Sequence, residues 1–433
     1  MKITVVGAGY VGLVTAVVLA EKDHNVVCLD VDSSKIGQMN DDICPIHEPG
    51  LQELMLSNKS KLRYTPDSKQ AYSNPDIIFI AVPTPENEDG SADLSYVYSA
   101  CDDIFTTLQK DVILVVKSTV PVGTNKAIIE YVSHVNVRNL VVSIVSNPEF
   151  LSQGTAVKDM LHPKRIVIGS ECNKAIGVMQ KLYKDFGTEI VITDLNSAEM
   201  IKYASNCFLA LKISYINEIS NLCEKVVADI EDVAKGMGFD PRIGKEFLRA
   251  GIGYGGSCFP KDTKALFKLS EMHDSTMNTI KATIEINENQ RYKLLDKATK
   301  YYAGFAGLNV AVLGVAFKPG TDDLREAPAV INIAMLLQKD ANIKVWDACA
   351  TENLKKHFGT VITYCDTIIE ALDNADLCLI FTELDEIKQL PTESFLKMKT
   401  PIVLDGRNCY GLDDMDKHSL IYESMGRRIV NNL

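Results

Sequence analysis

One of eleven cysteines, Cys258, lies in the run Gly251-Ile-Gly-Tyr-Gly-Gly-Ser-Cys-Phe-Pro-Lys-Asp262, preceded by four glycines and followed by Lys261 and Asp262. Glycines at 251, 253, 255 and 256 let a backbone approach a ligand without side-chain obstruction. A cation and a carboxylate close to a thiol are the neighbours that tune its reactivity. The plainer reading is a flexible surface loop with an inert, buried cysteine, because free cysteines are most often small core residues. Against it stands the other end of the chain, where Gly7-Ala-Gly-Tyr-Val-Gly12 has the spacing of a dinucleotide-binding turn. A nicotinamide cofactor combined with a nucleophilic thiol points to oxidation beyond the aldehyde. An aldehyde yields a hydride only after something has added to it, and the thioester so formed is open to water.

These groups need elements to hold them. Lys2 to Val6 reads as a buried strand, Leu13 to Lys22 as an apolar-faced helix, and Asn25 to Leu29 as a strand closed by Asp30. In that setting Gly7 permits the tight turn, Gly9 admits a pyrophosphate to the backbone, and Gly12 lets the helix pack closely on the strand. The helix N-terminus then offers N–H groups to the phosphates. Tyr10 and Val11, inside the turn, belong with the cofactor-side positions. Asp30, 18 residues beyond Gly12, is placed to accept from a ribose and repel a 2′-phosphate, which favours NAD over NADP; Lys35 nearby is the residue that speaks for NADP. Further strands are predicted at Asp76 to Val82, Val112 to Lys117 and Leu140 to Val145, leading into Pro83-Thr-Pro85, Ser118-Thr-Val-Pro-Val-Gly123 and Asn147-Pro-Glu-Phe150. Such turns fall at the carboxyl ends of parallel strands, the usual ligand edge.

The pattern recurs at Asn309 to Leu313, Ile343 to Trp346, Asp376 to Phe381 and Pro401 to Leu404. The expected fold is α/β, two Rossmann-like parallel-sheet domains joined by a long central helix, Ser197 to Val227, which contains no proline or glycine. The second copy reads Gly314-Val-Ala-Phe-Lys-Pro-Gly-Thr-Asp-Asp323; it lacks the three-glycine turn and gains Lys318, which speaks for a different phosphate-bearing ligand rather than a second NAD. On the long helix Lys202 and Asn206 stand four apart, hence on one face. A single lysine on such a helix more commonly just extends its head group to water.

The chain has 433 residues, 46% hydrophobic and 24% charged, an ordinary globular composition that suggests about three domains. A net charge of -12 argues against nucleic acid or an anionic membrane as the main partner. Eleven scattered cysteines, without a CxxC pair, fit reduced thiols and a cytoplasmic protein. The apolar opening Ile3 to Ala20 carries the turn glycines and is read as strand, turn and helix rather than a signal peptide, and no later stretch is long and apolar enough for a membrane span. Seven dispersed histidines form no metal-ligand cluster, so no metal is assigned.

Six motifs occur in order: Gly7-Ala-Gly-Tyr-Val-Gly12, Lys117-Ser-Thr-Val-Pro-Val-Gly123, Asn147-Pro-Glu-Phe-Leu151, Lys202-Tyr-Ala-Ser-Asn206, Gly253-Tyr-Gly-Gly-Ser-Cys-Phe-Pro-Lys-Asp262 and Phe317-Lys-Pro-Gly-Thr-Asp-Asp323. Across nearly the whole chain they resemble the UDP-glucose 6-dehydrogenase family, within the wider UDP-glucose/GDP-mannose dehydrogenases that oxidise a hexose C6 alcohol to a carboxylate. The resemblance implies that Cys258 captures the C6 aldehyde as a thiohemiacetal that is oxidised to a thioester. It implies that Lys202 and Asn206 stabilise the oxyanions, that Asp262 and Thr119 hold water or a proton, and that Glu149 takes part in thioester hydrolysis, a reasonable general base if burial raises its pKa. Phe150, Leu151, Lys158, Arg242, Gly255, Phe317 and Lys318 match substrate contacts, with Arg242 reaching the neighbouring subunit of a homodimer. Thr84, Ser118 and Arg325 match cofactor contacts, Arg325 coming from the second domain. Where the family commonly carries a second glutamate, this chain has Gln153, which no longer serves as a base.

The implied division is an NAD-binding domain over 1–195, a central helical dimerisation and catalytic region over 196–300, and a UDP-sugar-binding domain over 301–433. Three alternatives stay open on the residues alone. They are the same chemistry on GDP-mannose or a UDP-N-acetylhexosamine, a single-hydride hydroxy-acid dehydrogenase, and a non-catalytic nucleotide-sugar sensor.

Overall fold

Runs such as Ile77-Ile-Phe-Ile80 and Val112-Ile-Leu-Val-Val116 are apolar on both faces, so a strand made of them has to be covered on both sides. The computed structural model describes residues 1–433 and divides into two units, Met1–Ser205 and Asn206–Leu433. In the first, strands β1 (Lys2–Val6), β2 (Asn25–Leu29), β3 (Leu62–Thr65), β4 (Ile77–Ile80), β5 (Val112–Val116), β6 (Val142–Ser146), β7 (Ile166–Gly169) and β8 (Ile190–Thr193) form one sheet. Its order is β3-β2-β1-β4-β5-β6-β7-β8, parallel except where β6 meets β7. The strand order reverses between β1 and β4, the crevice where doubly wound sheets bind dinucleotides. Side chains alternate as the pleat demands: Val5, Ile77, Phe79 and Val115 enter one core layer, while Val6, Ile78, Ile80, Leu114 and Val116 enter the other. Each fully buried side chain of this kind contributes roughly 1.5–3 kcal/mol.

The second unit repeats the plan. Strands β9 (Asn309–Leu313), β10 (Asn342–Trp346), β11 (Thr363–Tyr364), β12 (Leu377–Ile380), β13 (Ile402–Asp405), β14 (Ile421–Glu423) and β15 (Val430–Asn431) run in the order β11-β10-β9-β12-β13-β14-β15, all parallel but the last pair. Val310, Val312, Leu377 and Leu379 line one layer; Ala311, Leu313, Cys378 and Ile380 line the other. The correspondence extends to atoms. Gly7 N–H donates to Leu29 O at 2.8 Å, and Gly314 N–H donates to Trp346 O at 2.9 Å. Asp30 Oδ2 accepts from Ala8 N–H at 2.7 Å, and Asp347 Oδ2 accepts from Val315 N–H at 2.6 Å.

The long helix covers Leu195–Val226, starting two residues before its predicted limit. Asp194 closes its first turn, accepting from Ser197 N–H at 2.9 Å and Ser197 Oγ at 2.6 Å. Val227, at φ 60°, ends it. The first helix runs Tyr10–Glu21 rather than from Leu13, because Gly9 is already its N-cap and Leu13 N–H donates to Gly9 O at 2.9 Å. No helix is long and apolar enough to cross a membrane.

Candidate active site

The glycine turn after β1 has one open position and two closed ones. A Cβ on Gly12 would lie 1.8 Å from Gly7 O, and one on Gly7, whose φ is +99°, 2.6 Å from Ala81 O. Gly9 meets nothing within 4 Å and has ordinary extended backbone, so a side chain there would obstruct only an incoming ligand. The helix Tyr10–Glu21 has no side-chain cap, which leaves its first N–H groups available to phosphate. These features fit a dinucleotide. Asp30 closes the far side, its second oxygen accepting from Asp32 N–H at 2.9 Å. Tyr10 donates its hydroxyl to His47 O, Val11 packs against the core, and Lys35 lies 4.0 Å from Asp32.

The turns after β4 and β5 are tied by hydroxyls. Thr84 Oγ1 donates to Thr119 O at 2.9 Å, and Ser118 Oγ donates to Val82 O at 2.7 Å. Glu199, buried on the long helix, accepts from Gly123 N–H and from the N–H and side-chain amide of Asn125 at 2.6–2.7 Å, which pins the end of the second turn. Three expected cofactor positions, Thr84, Ser118 and Thr119, thus gather at the strand edge.

Beyond β6, Glu149 and Lys202 form a buried ion pair with Nζ–Oε1 2.8 Å. Leu151 N–H donates to the other carboxylate oxygen. Burial pushes the Glu149 carboxyl up, and the Lys202 charge, the hydrogen bonds from Lys202 and Leu151, and the Lys117 charge together outweigh it, so its pKa is lowered. The condition that burial raise its pKa is therefore not met: the cations that reverse the sign come from the end of β5 and the long helix, far away in sequence. Phe150 is stacked by the Arg165 guanidinium, 3.8 Å from the ring centroid, with Lys202 Nζ at 5.5 Å. Glu149, Phe150, Leu151, Lys117 and Arg165 line a cavity of about 90 Å³. Lys158 lies outside it, exposed on the helix Ala156–Leu161. Gln153 keeps a buried amide oxygen with no hydrogen-bond partner, in a turn held by Glu48 through Gly154 and Ala156 N–H.

In the second unit the glycine run is clamped rather than flexible. Asn217 Oδ1 accepts from Gly251 N–H at 2.8 Å, Gln290 Nε2 donates to Gly251 O at 2.7 Å, and Asn287 pairs with both backbone groups of Tyr254. Gly255 and Gly256 are pressed against Glu326 O and the Phe317 ring, where a Cβ would come within 2.4 and 2.8 Å. The clamped run delivers Cys258, exposed, to the N-cap of the helix Phe259–Met272, the end that favours negative charge. One turn on, Asp262 is 1% exposed and accepts from Asn206 Nδ2 at 2.7 Å and Lys261 Nζ at 2.7 Å. Asn206 and Asp262 are therefore brought together.

Other expected residues are more dispersed. Lys318 stacks on its neighbour Phe317, with Nζ 5.5 Å from the ring centroid. Arg325 forks onto Asp323 at 2.6–3.1 Å while its carbonyl accepts from Gly256 N–H. Arg242, strongly exposed, forks onto Asp240. Arg407 was not singled out from the sequence; its guanidinium donates to Phe381 O at 2.8 Å and reaches Gly253 O and Phe317 O at 3.4 Å. The available signal was its place just after β13, at the carboxyl edge of the sheet. The clamping amides Asn217, Asn287 and Gln290 carried no such signal.

Three family models match in succession: the NAD binding domain of the UDP-glucose/GDP-mannose dehydrogenase family over residues 1–187, its central domain over 196–289 and its UDP binding domain over 311–412. A UDP-glucose 6-dehydrogenase of Bacillus subtilis, YwqF, is 46% identical, with 99% of this chain and 98% of that protein aligned. One from Rhizobium meliloti is 43% identical over 99% of this chain and 100% of its own. Among solved structures, a UDP-glucose dehydrogenase from Pyrobaculum islandicum superposes with a TM-score of 0.92 at 35% identity, covering 99% of this chain and 98% of that one. A UDP-D-ManNAc dehydrogenase from Pyrococcus horikoshii does so at 0.87 and 26% identity, covering both chains fully. With its glycine turn, its clamped cysteine loop and these matches along its whole length, the chain belongs to the UDP-glucose/GDP-mannose dehydrogenase family.

Proposed function

We propose that the chain oxidises C6 of UDP-glucose to the carboxylate of UDP-glucuronate: RCH2OH + 2 NAD+ + H2O gives RCOO− + 2 NADH + 3 H+. The observation that carries this reading is Cys258, exposed at a helix N-terminus on a loop held by three buried amides, with Asp262 fixed one turn away. Bound NAD supplies a hydride acceptor for each oxidation. The thiolate of Cys258 adds to the aldehyde carbon, and loss of hydride from that adduct leaves a thioester. Lys202 and Asn206 donate to the developing oxyanions, which is worth most in a water-poor site. Glu149 then takes a proton from water as the C–O bond forms and the C–S bond breaks, returning sulfur to Cys258. Asp262 and Thr119 position water. Thr84, Ser118, Asp30 and the glycine turn hold the cofactor with Tyr10, Val11, Lys35 and Arg325; Phe150, Leu151, Lys158, Gly255, Phe317 and Lys318 take the UDP-sugar.

The test is stoichiometry with NAD and limiting UDP-glucose. The expected result is two NADH per sugar, and one NADH per sugar overturns the four-electron route. A second sugar specificity has one specific support, the similarity of this fold to a UDP-D-ManNAc dehydrogenase; turnover of that sugar in preference to UDP-glucose would establish it.

The reading keeps the three-part division at 195 and 300 and places the protein in the cytoplasm, where its eleven cysteines would stay reduced. It also makes the protein a homodimer, with Arg242 completing the neighbouring site. On the long helix Phe208, Tyr215 and Leu222, seven residues apart and so on one face, are 61%, 46% and 54% exposed. Sedimentation should give a dimer for the parent and a monomer for Phe208→Asp/Leu222→Asp; a monomeric parent rules the dimer out.

A further inference from the structure

Lys117, at the end of β5, is 3% exposed, and its ammonium donates to a neutral group, Asn147 Oδ1, at 3.2 Å. That amide is itself fixed: Tyr183 OH donates to the same oxygen at 2.6 Å, and Asn147 Nδ2 donates to Val167 O at 2.8 Å. Lys117 and Glu149 line the same cavity, and Lys202 holds the other side of Glu149. Two lysines thus act on one buried carboxylate, Lys202 through a direct ion pair and Lys117 through its charge from the lining of the same cavity. We propose that Lys117 is a positioning residue for Glu149: held by Asn147, it is the second cation that keeps this carboxylate ionised and sets its strength as a base.

The titratable groups around Lys117 are Glu149 after β6, Lys202 on the long helix and Tyr183 behind Asn147. Across the cavity stand Asp159, His162, Lys164 and Arg165. Burial lowers the Lys117 ammonium to a pKa of about 8; Glu149 resists that shift and Lys202 adds to it. Burial keeps the Tyr183 phenol protonated, so it stays a neutral donor. As pH rises through about 8, Lys117 loses its charge and Glu149 loses one of its two cations, which makes the carboxylate a stronger base.

The inference rests on the proposed role of Glu149 in thioester hydrolysis. The test follows decay of the covalent sugar adduct on Cys258, by intact mass after a rapid chase, from pH 3 to 9 in the full-length protein. The parent should show an acid limb governed by Glu149 and a rate rise near pH 8. Lys117→Met, which fills similar space without charge, should move the acid limb up by about one pH unit. Lys117→Arg, which keeps the cation at all these pH values, should leave the acid limb in place and remove the rise near pH 8, and it serves alone if the methionine variant does not fold. Glu149→Gln should accumulate the adduct. If Glu149→Gln accumulates adduct and both Lys117 variants retain the parent profile, Lys117 only fills the core and the inference is wrong. If Glu149→Gln hydrolyses at the parent rate, the role of Glu149 is wrong and the inference falls with it.

Discussion

Cys258→Ser is expected to lower steady-state turnover by at least ~10³-fold without altering the fold, since removing a covalent nucleophile removes the path that depends on it. The side chain is exposed, so stability should stay within about 0.5 kcal/mol of the parent. A serine hydroxyl at neutral pH is a far weaker nucleophile than a thiolate, and the ester it would form is less readily opened by water than a thioester. The defect should therefore fall after the first oxidation: an adduct on residue 258 forms slowly and is not released, and NADH production is not sustained. Stopped-flow absorbance with intact-mass analysis reads both. A serine variant making two NADH per sugar at the parent rate would remove Cys258 from the mechanism.

Lys202→Met should act on both chemistry and stability. Loss of an oxyanion donor costs about 10²–10³ in kcat. Removing one partner of a buried pair leaves Glu149 with Lys117 as its remaining cation, at a cost of up to about 3–5 kcal/mol, as both side chains of the pair are almost wholly buried. Lys202→Met/Glu149→Gln should regain most of that stability while remaining inactive, because the carboxylate that lost its direct partner is gone. The pH dependence has a definite sign. Glu149 is held below its ordinary value, so the stability its ionised form contributes is complete above the unfolded-state value of about 4.3 and is lost as pH falls through the lower folded value. Urea titrations of the three proteins between pH 3 and 7 measure this. Equal stability for Lys202→Met and parent at pH 7 would mean that the pair is not energetically coupled.

Local chemistry was legible in the sequence and long-range electrostatics was not. The turn Gly7 to Gly12, the strands that repeat in the second half and the placing of Lys202 and Asn206 on one helix face follow from spacing, because strand, turn and helix each have a fixed period. Leu62–Thr65 and Thr363–Tyr364 are short edge strands with little apolar pattern to mark them. Glu149 was read as a reasonable base if burial raised its pKa, yet its two cations arrive from residues 32 positions before it and 53 after it. The same limit hid Asn217, Asn287 and Gln290, ordinary amides on helical stretches whose importance lies in the backbone groups they meet. Arg325 and Arg242, chosen as ligand contacts, are forked onto aspartates two residues away, a pairing that their local sequence already permits.

Asp30 sets a constraint for anyone wishing to redesign the coenzyme preference. Both its oxygens are engaged by the loop itself, one by Ala8 N–H and one by Asp32 N–H, and the second unit retains the same latch at Asp347 without the three-glycine turn. The carboxylate is thus part of how the loop closes, independent of any nucleotide. Exchanging it to welcome a 2′-phosphate would loosen the loop along with the preference. Val31, 96% exposed, is the adjacent position where a basic side chain can be introduced with the latch left in place.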